Sequence, residues 1–254
     1  MSDDIRPSGE TFVRSWGQGS RECVGLHGWN GSHHTFEPLV PHLPDEFHLH
    51  APDLPGYGRT PPPACWSLEG IATRVAEALA PRLENPVTLI GNCSGAAISL
   101  FVADELETEV EQFVLVDPFA YVPWYLRLFL MPVAGPLAYR ATFDTTLGRR
   151  LTDLALADKR DEGTELLASF ADTPSRVPLR YLHLLADLDF PPPPADHPAD
   201  KLLLEAEHTF DAVRTSVQMW RSIWPRAARR RLAGGGHLLL EEVPAAIAAE
   251  LERT

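Results

Sequence analysis

Leu89-Ile90-Gly91-Asn92-Cys93-Ser94-Gly95-Ala96-Ala97 is the stretch on which the reading of this chain turns. Val87–Ile90 has the composition of a short buried strand, and Ala96–Leu106 that of the helix that follows it. A strand, a sharp turn and a helix in such quick succession force the residue at the tip into a strained backbone conformation. Side chains two positions to either side would collide with the neighbouring strand or helix, and glycines stand at both of those positions around Cys93. The tip also faces a helix N-terminus, where the positive end of the dipole favours anions, a thiolate among them. Cys93 is therefore the candidate nucleophile. Ser94 is the alternative, but that register puts the larger Asn92 where a small residue is needed. An inert buried thiol is the bland alternative for Cys93, and the glycine spacing argues against it.

Outward from this segment, short apolar runs alternate with helical patterns, the signature of a mainly parallel sheet covered on both faces. Thr11–Trp16 reads as a strand, Gly17-Gln18-Gly19-Ser20 as a hairpin turn, and Glu22–Leu26 as the next strand. His34–Leu43 suits a short helix and Glu46–Ala51 a strand, weakened by its alternating histidines. Ser67 N-caps a helix with Leu68, Ile71, Val75 and Leu79 on one face, ending near Pro86. Phe113–Val116 is the next strand. From 119 to 199 the chain turns helical and rich in aromatics and proline, which reads as a helical cap laid over the strand ends. Residues 1–118 and 200–254 then form the core, with strands at Lys201–Leu204 and Arg229–Leu232, a helix at Asp211–Trp224, and a last helix carrying Val243, Ile247 and Leu251.

The chain has 254 residues, 44% of them apolar, enough for one sizeable core. Its 35 acidic residues outweigh 22 basic ones, a net charge of −13 that argues against nucleic acid and anionic membranes as partners. The cluster Arg226, Arg229, Arg230 and Arg231 reads as one solvated face. Met1-Ser2-Asp3-Asp4 is acidic with no apolar run behind it, unlike a secretory signal. Cys23, Cys65 and Cys93 are too few and scattered for a disulfide framework, so a cytoplasmic location, where a thiol stays reduced, is expected. No phosphate loop or metal-ligand spacing stands out, so neither cofactor nor metal is implied. His33, His34, His42, His48 and His50 read as solvated or structural.

Four segments, in order, resemble the α/β-hydrolase superfamily: Gly25-Leu26-His27-Gly28-Trp29, Asp53-Leu54-Pro55-Gly56-Tyr57-Gly58-Arg59-Thr60, Gly91–Gly95, and Gly236-His237 with Glu241 and Pro244. The N-terminal half is most similar to the pimeloyl-ACP methyl ester esterase branch. The resemblance implies an α/β-hydrolase fold, with the first segment as the oxyanion loop, the third as the nucleophile elbow and His237 as the catalytic base. It nominates the main-chain N–H groups of Trp29 and Ser94 as oxyanion donors.

In this family the acid usually lies a few residues beyond the strand at Lys201–Leu204, where Thr209 stands here. Some members carry it after the preceding strand, and Asp117 is favoured on that ground. Glu205, Glu207 and Asp211, or no acid at all, remain as alternatives, and an Asp-Pro N-cap is the structural reading of Asp117. Trp29, Phe119, Tyr121, Trp124 and Tyr125, with Phe129 and Met131, are candidates to line a hydrophobic substrate channel, or simply to pack the cap.

A Cys–His pair attacks acyl carbonyls to give a thioester, which water or an acceptor then resolves. The expected activity is thus that of an esterase, thioesterase or acyltransferase. Its substrate is a small acyl compound, with an acyl carrier protein or coenzyme A as the carrier the resemblance suggests. A non-hydrolytic cyclase or lyase on the same fold, or a catalytically silent ligand-binding module, are the other classes.

Overall fold

The computed structural model describes residues 9–156 and 173–253, so Met1-Ser2-Asp3-Asp4 and the stretch 157–172 of the expected cap lie outside the described residues. Seven strands form one sheet: β1 (Val13–Gly17), β2 (Arg21–Leu26), β3 (Phe47–Pro52), β4 (Val87–Asn92), β5 (Val110–Val116), β6 (Asp200–Ala206) and β7 (Ala228–Leu232). Their spatial order is β1-β3-β2-β4-β5-β6-β7. Only β1 runs antiparallel, paired with β3. The rest are parallel, as the apolar runs of the inner strands and the helical connections predict.

Contrary to expectation, Gly17-Gln18-Gly19-Ser20 is not a hairpin turn between paired strands, because β3 lies between β1 and β2. The glycines serve a crossing instead. Gly17 has a φ of 78°, and a Cβ there would fall on the Phe47 carbonyl, while one at Gly19 would fall on Glu46. Arg21 N–H then donates to the Glu46 carbonyl at 2.9 Å, so the start of β3 occupies the place of a hairpin partner.

Helix α1 (Leu68–Leu79) opens on Ser67, whose hydroxyl accepts from Gly70 N–H at 3.0 Å. Its Ile71, Val75 and Leu79 are fully buried, each contributing about 1.5–3 kcal/mol of burial. Helix α2 (Gly95–Glu105) is buried along nearly its whole length, as befits an almost uniformly apolar segment behind the sheet's centre.

Pleat alternation splits β5 between two cores: Phe113 and Leu115 join α1 and α2, and Val114 and Val116 face the other way. That second core receives Phe36 and Leu39 from a tight 3₁₀ helix at His33–His42, where an ordinary short helix was expected; Pro38 and Pro41 inside it remove main-chain donors.

Between β5 and β6 lie α3 (Trp124–Arg127), α4 (Ala134–Tyr139), α5 (Thr146–Ala155) and α6 (Arg176–Ala186). After β6 come α7 (Asp211–Ile223), then, beyond β7, α8 (Leu239–Glu242) and α9 (Pro244–Glu252). The arginines of edge strand β7 are exposed, and two of them pair with acids: Arg229 with Glu205, Arg230 with Glu250. Charged side chains on an edge strand discourage pairing with another chain. Among the described residues no helix is long and apolar enough to cross a membrane.

Candidate active site

The turn after β4 carries Cys93 at φ 55°, a left-handed conformation costing a non-glycine residue about 1–2 kcal/mol. Neighbouring segments hold it there. Cys93 N–H donates to the Val116 carbonyl at 2.9 Å, and its own carbonyl accepts from Phe119 N–H at 3.2 Å and Ala96 N–H at 3.3 Å. The flanking glycines are needed for space. A Cβ on Gly91 would stand 2.7 Å from Ala96 Cα, and one on Gly95 would fall on the Leu26 carbonyl. The Gly25–Trp29 segment packs directly on the turn, since a Cβ at Gly28 would lie 2.7 Å from the Cβ of Cys93. Cys93 is a free, half-buried thiol, and Ser94 behind it is buried.

Asp117 follows β5 at φ 44°, fully buried. No helix begins there, so its side chain is not an N-cap. One carboxylate oxygen accepts from Ala206 N–H at 2.7 Å. The other meets the Thr209 hydroxyl at 2.5 Å and His237 Nδ1 at 2.9 Å. Thr209, where the resemblance places an acid, instead donates to Asp117 after the neighbouring strand, a contact that nothing in the local sequence announces. The other three candidates turn elsewhere. Glu205 pairs with Arg229, Glu207 accepts from Gly234 N–H at 3.1 Å, and Asp211 stands 95% exposed beside Arg214.

His237 hangs on the glycine loop after β7. Gly235 anchors that loop by accepting from His208 N–H at 3.0 Å, and Gly236 N–H donates to Glu242. The ring sits edge-on to Phe210 (4.9 Å between centroids) and Phe119 (5.7 Å). Burial opposes its charge, but the hydrogen bond to Asp117 and then that to Cys93 outweigh it and raise its pKa to about 10. The ring thus meets Asp117 directly and lies close enough to the Cys93 thiol to be affected by it. His27, by contrast, is structural: its ring meets the Gly28 carbonyl and accepts from Leu54 N–H at 3.0 Å, and burial pushes its pKa down to about 4. His33 pairs with Asp53 at 2.8 Å.

The expected lining residues divide. Phe119 touches His237, as above. Trp29 donates its indole N–H to the Pro178 carbonyl of α6 at 2.8 Å and packs edge-on to Tyr139 and Phe143, tying the loop after β2 to the helices between β5 and β6. The Tyr125 hydroxyl is pushed up to about 12 by burial first, then by the nearby Tyr121 and Cys93. Trp124 turns outward, 74% exposed against Tyr125, and Met131 is also exposed. Phe129 joins Tyr139 and Phe143 in an aromatic cluster. Two residues outside the expected set lie close by, Tyr57, whose hydroxyl feels Cys93, and Asn30, whose amide donates to the Tyr139 hydroxyl at 3.0 Å.

With this arrangement in view, the alpha/beta hydrolase family model matches residues 23–250, and the chain belongs to that family. A pimeloyl-[acyl-carrier protein] methyl ester esterase of Neisseria meningitidis is 27% identical over 65% of this chain and 70% of its own length. Lipase LipV of Mycobacterium tuberculosis is 31% identical over 43% of this chain and 42% of its own. Among solved structures, a lipase-esterase related protein from Clostridium acetobutylicum superposes with a TM-score of 0.74 at 15% identity, covering 96% of this chain and 99% of that one. Cfl2 from Burkholderia cenocepacia gives 0.75 at 19% identity, covering 95% and 90%. These likenesses establish the fold.

Proposed function

We propose that the chain is an acyl hydrolase or acyltransferase acting on an ester or thioester, with Cys93 as nucleophile, His237 as base and Asp117 as the acid behind it. The observation that carries this reading is the placing of one imidazole, whose Nδ1 meets Asp117 at 2.9 Å, near enough to the Cys93 thiol for it to help raise the ring's pKa. Asp117 at Nδ1 fixes the ring's tautomer and orientation and leaves Nε2 for the sulfur.

In the first half-reaction the proton shared between Cys93 and His237 resides on the ring, whose pKa is raised to about 10, and the Cys93 sulfur attacks the acyl carbonyl carbon as a thiolate. The carbonyl electron pair moves onto oxygen, where the main-chain N–H groups of Ser94 and Trp29 are the proposed donors. Collapse expels the alcohol or thiol, which takes the proton from His237, and leaves the acyl group on Cys93 as a thioester. Water or a bound acceptor then attacks that thioester with its proton going to His237, and the thiol is restored as the acyl product leaves.

Residues 119–199 act in this reading as a cap, with Phe119, Tyr121 and Tyr125 walling the acyl group. The nearness of the partly exposed Tyr125 to Cys93 supports that role. The name of the Neisseria relative supports an acyl group delivered on an acyl carrier protein, and coenzyme A offers the same thioester chemistry. Purified Cys93→Ala tested on short-chain ester and thioester substrates checks the assignment: turnover falls to background if the thiol is the nucleophile, and persists at the wild-type rate if it is not.

A further inference from the structure

We propose a second site, a divalent zinc-class metal ion held by Glu22, His48 and His50 near the start of β2 and β3. His48 and His50 are two apart on β3 and so share one face of the strand. Glu22 lies opposite His48 in the parallel register of β2 and β3, which brings its carboxylate to the same face. One ligand atom from each of the three lies within 4.8 Å of the others. Two imidazoles and a carboxylate suit zinc and its transition-metal neighbours better than calcium or magnesium.

Two further observations point to a ligand. His50 is 1% exposed, and its Nε2 has no hydrogen-bond partner. A buried polar atom left so is costly, and coordination would satisfy it. Its other nitrogen, Nδ1, meets the Ser15 hydroxyl at 2.8 Å. With Nδ1–H donating to Ser15, Nε2 keeps its lone pair for a metal, the outer-shell arrangement that fixes a ligand imidazole. Glu22 is buried and accepts from the main-chain N–H groups of Glu84 at 3.0 Å and Asn85 at 3.2 Å. Those bonds orient the carboxylate, and its oxygens have further lone pairs to offer.

Half-buried His48 is the member with solvent on one side, through which an ion would enter and a water complete the coordination. Glu22 aligns with Val87, the first residue of β4, whereas Cys93 follows its last. The two sites are thus about 20 Å apart along the strand, and the metal would pin β3 to β2 and take no part at Cys93.

The test uses the untagged full-length chain, titrated with zinc by calorimetry and with cobalt(II) by absorption. One ion per chain is expected, with affinity falling at least about thirtyfold in His48→Gln and in His50→Ala. Affinity should hold in His34→Ala, which removes an exposed member of the His33–His34–Glu37 group, and in Cys93→Ala. Cobalt should give ligand-field bands without thiolate charge transfer, and zinc at about 100 times its Kd should raise Tm by roughly 5 °C in wild type and not in His48→Gln. Because His50 is buried, the half-exposed His48→Gln variant decides the question if His50→Ala fails to fold. The proposal is overturned if wild type takes up no zinc at about 100 µM, a level far above that of a built site. Binding that survives His48→Gln, or that vanishes with Cys93→Ala and shows thiolate charge transfer, overturns it equally.

Discussion

Thr209 and His237 meet on a single oxygen of Asp117, the hydroxyl at 2.5 Å and the ring Nδ1 at 2.9 Å. The other carboxylate oxygen is taken by Ala206 N–H at 2.7 Å. The acid is therefore held from β6 and its following loop although it is rooted on β5, and three donors fix its plane. Replacing Thr209 by valine keeps the volume and removes one of them. We expect about 1–3 kcal/mol of lost stability in urea unfolding and a roughly tenfold fall in kcat as Asp117 loosens.

The identity of the acid is tested by two isosteric changes. Asp117→Asn should lower kcat/KM by about 10²-fold or more, less than the loss typical of serine triads because a thiol depends less on the third group. Glu205→Gln, which disturbs the Arg229 pair instead, should leave kcat/KM within about threefold of wild type. Steady-state kinetics on one ester substrate decides between them.

The raised pKa of His237 gives stability a pH dependence of definite sign. The folded value, about 10, lies above the ordinary 6.5, so the folded state binds the proton more tightly than the unfolded state does. Its contribution is present in full below pH 6.5 and is lost as pH rises through about 10. Urea unfolding of wild type against His237→Gln should show a difference that shrinks across that window. In Cys93→Ala the same loss should occur at lower pH, because one of the partners that raises the ring is gone.

At Gly95 a Cβ would fall on the Leu26 carbonyl, a backbone atom that cannot swing aside. Gly95→Ala is expected to cost at least about 2 kcal/mol and to displace Cys93. Thermal unfolding and titration of the thiol with a disulfide reagent report the two effects separately.

Local spacing made much of this structure legible. The glycines flanking Cys93 and Ser67 before an apolar helical face are short-range signals, whereas Asp117 has two local readings, N-cap or acid, and is nominated by the resemblance. Features that escaped such signals depend on distant chain. The Gly17–Ser20 turn looks like a hairpin because nothing local reveals that Glu46–Phe47 returns to lie between the two strands. Thr209 looks like a missing acid, because a hydroxyl aimed at a carboxylate 92 positions away leaves no local mark. His50 is similar: strand alternation alone does not tell a solvated imidazole from one sealed under α1's side of the sheet.

The central claim is that the acyl group passes through the Cys93 sulfur. Rapid quenching of a slow-turnover acyl thioester with wild type, followed by intact-mass and peptide mass spectrometry, tests it most directly. A single acyl mass increment on the peptide containing Cys93, removed by neutral hydroxylamine and absent in Cys93→Ala, is the predicted result. Turnover with no adduct on Cys93 at any quench time, or with the adduct on Ser94, would contradict it.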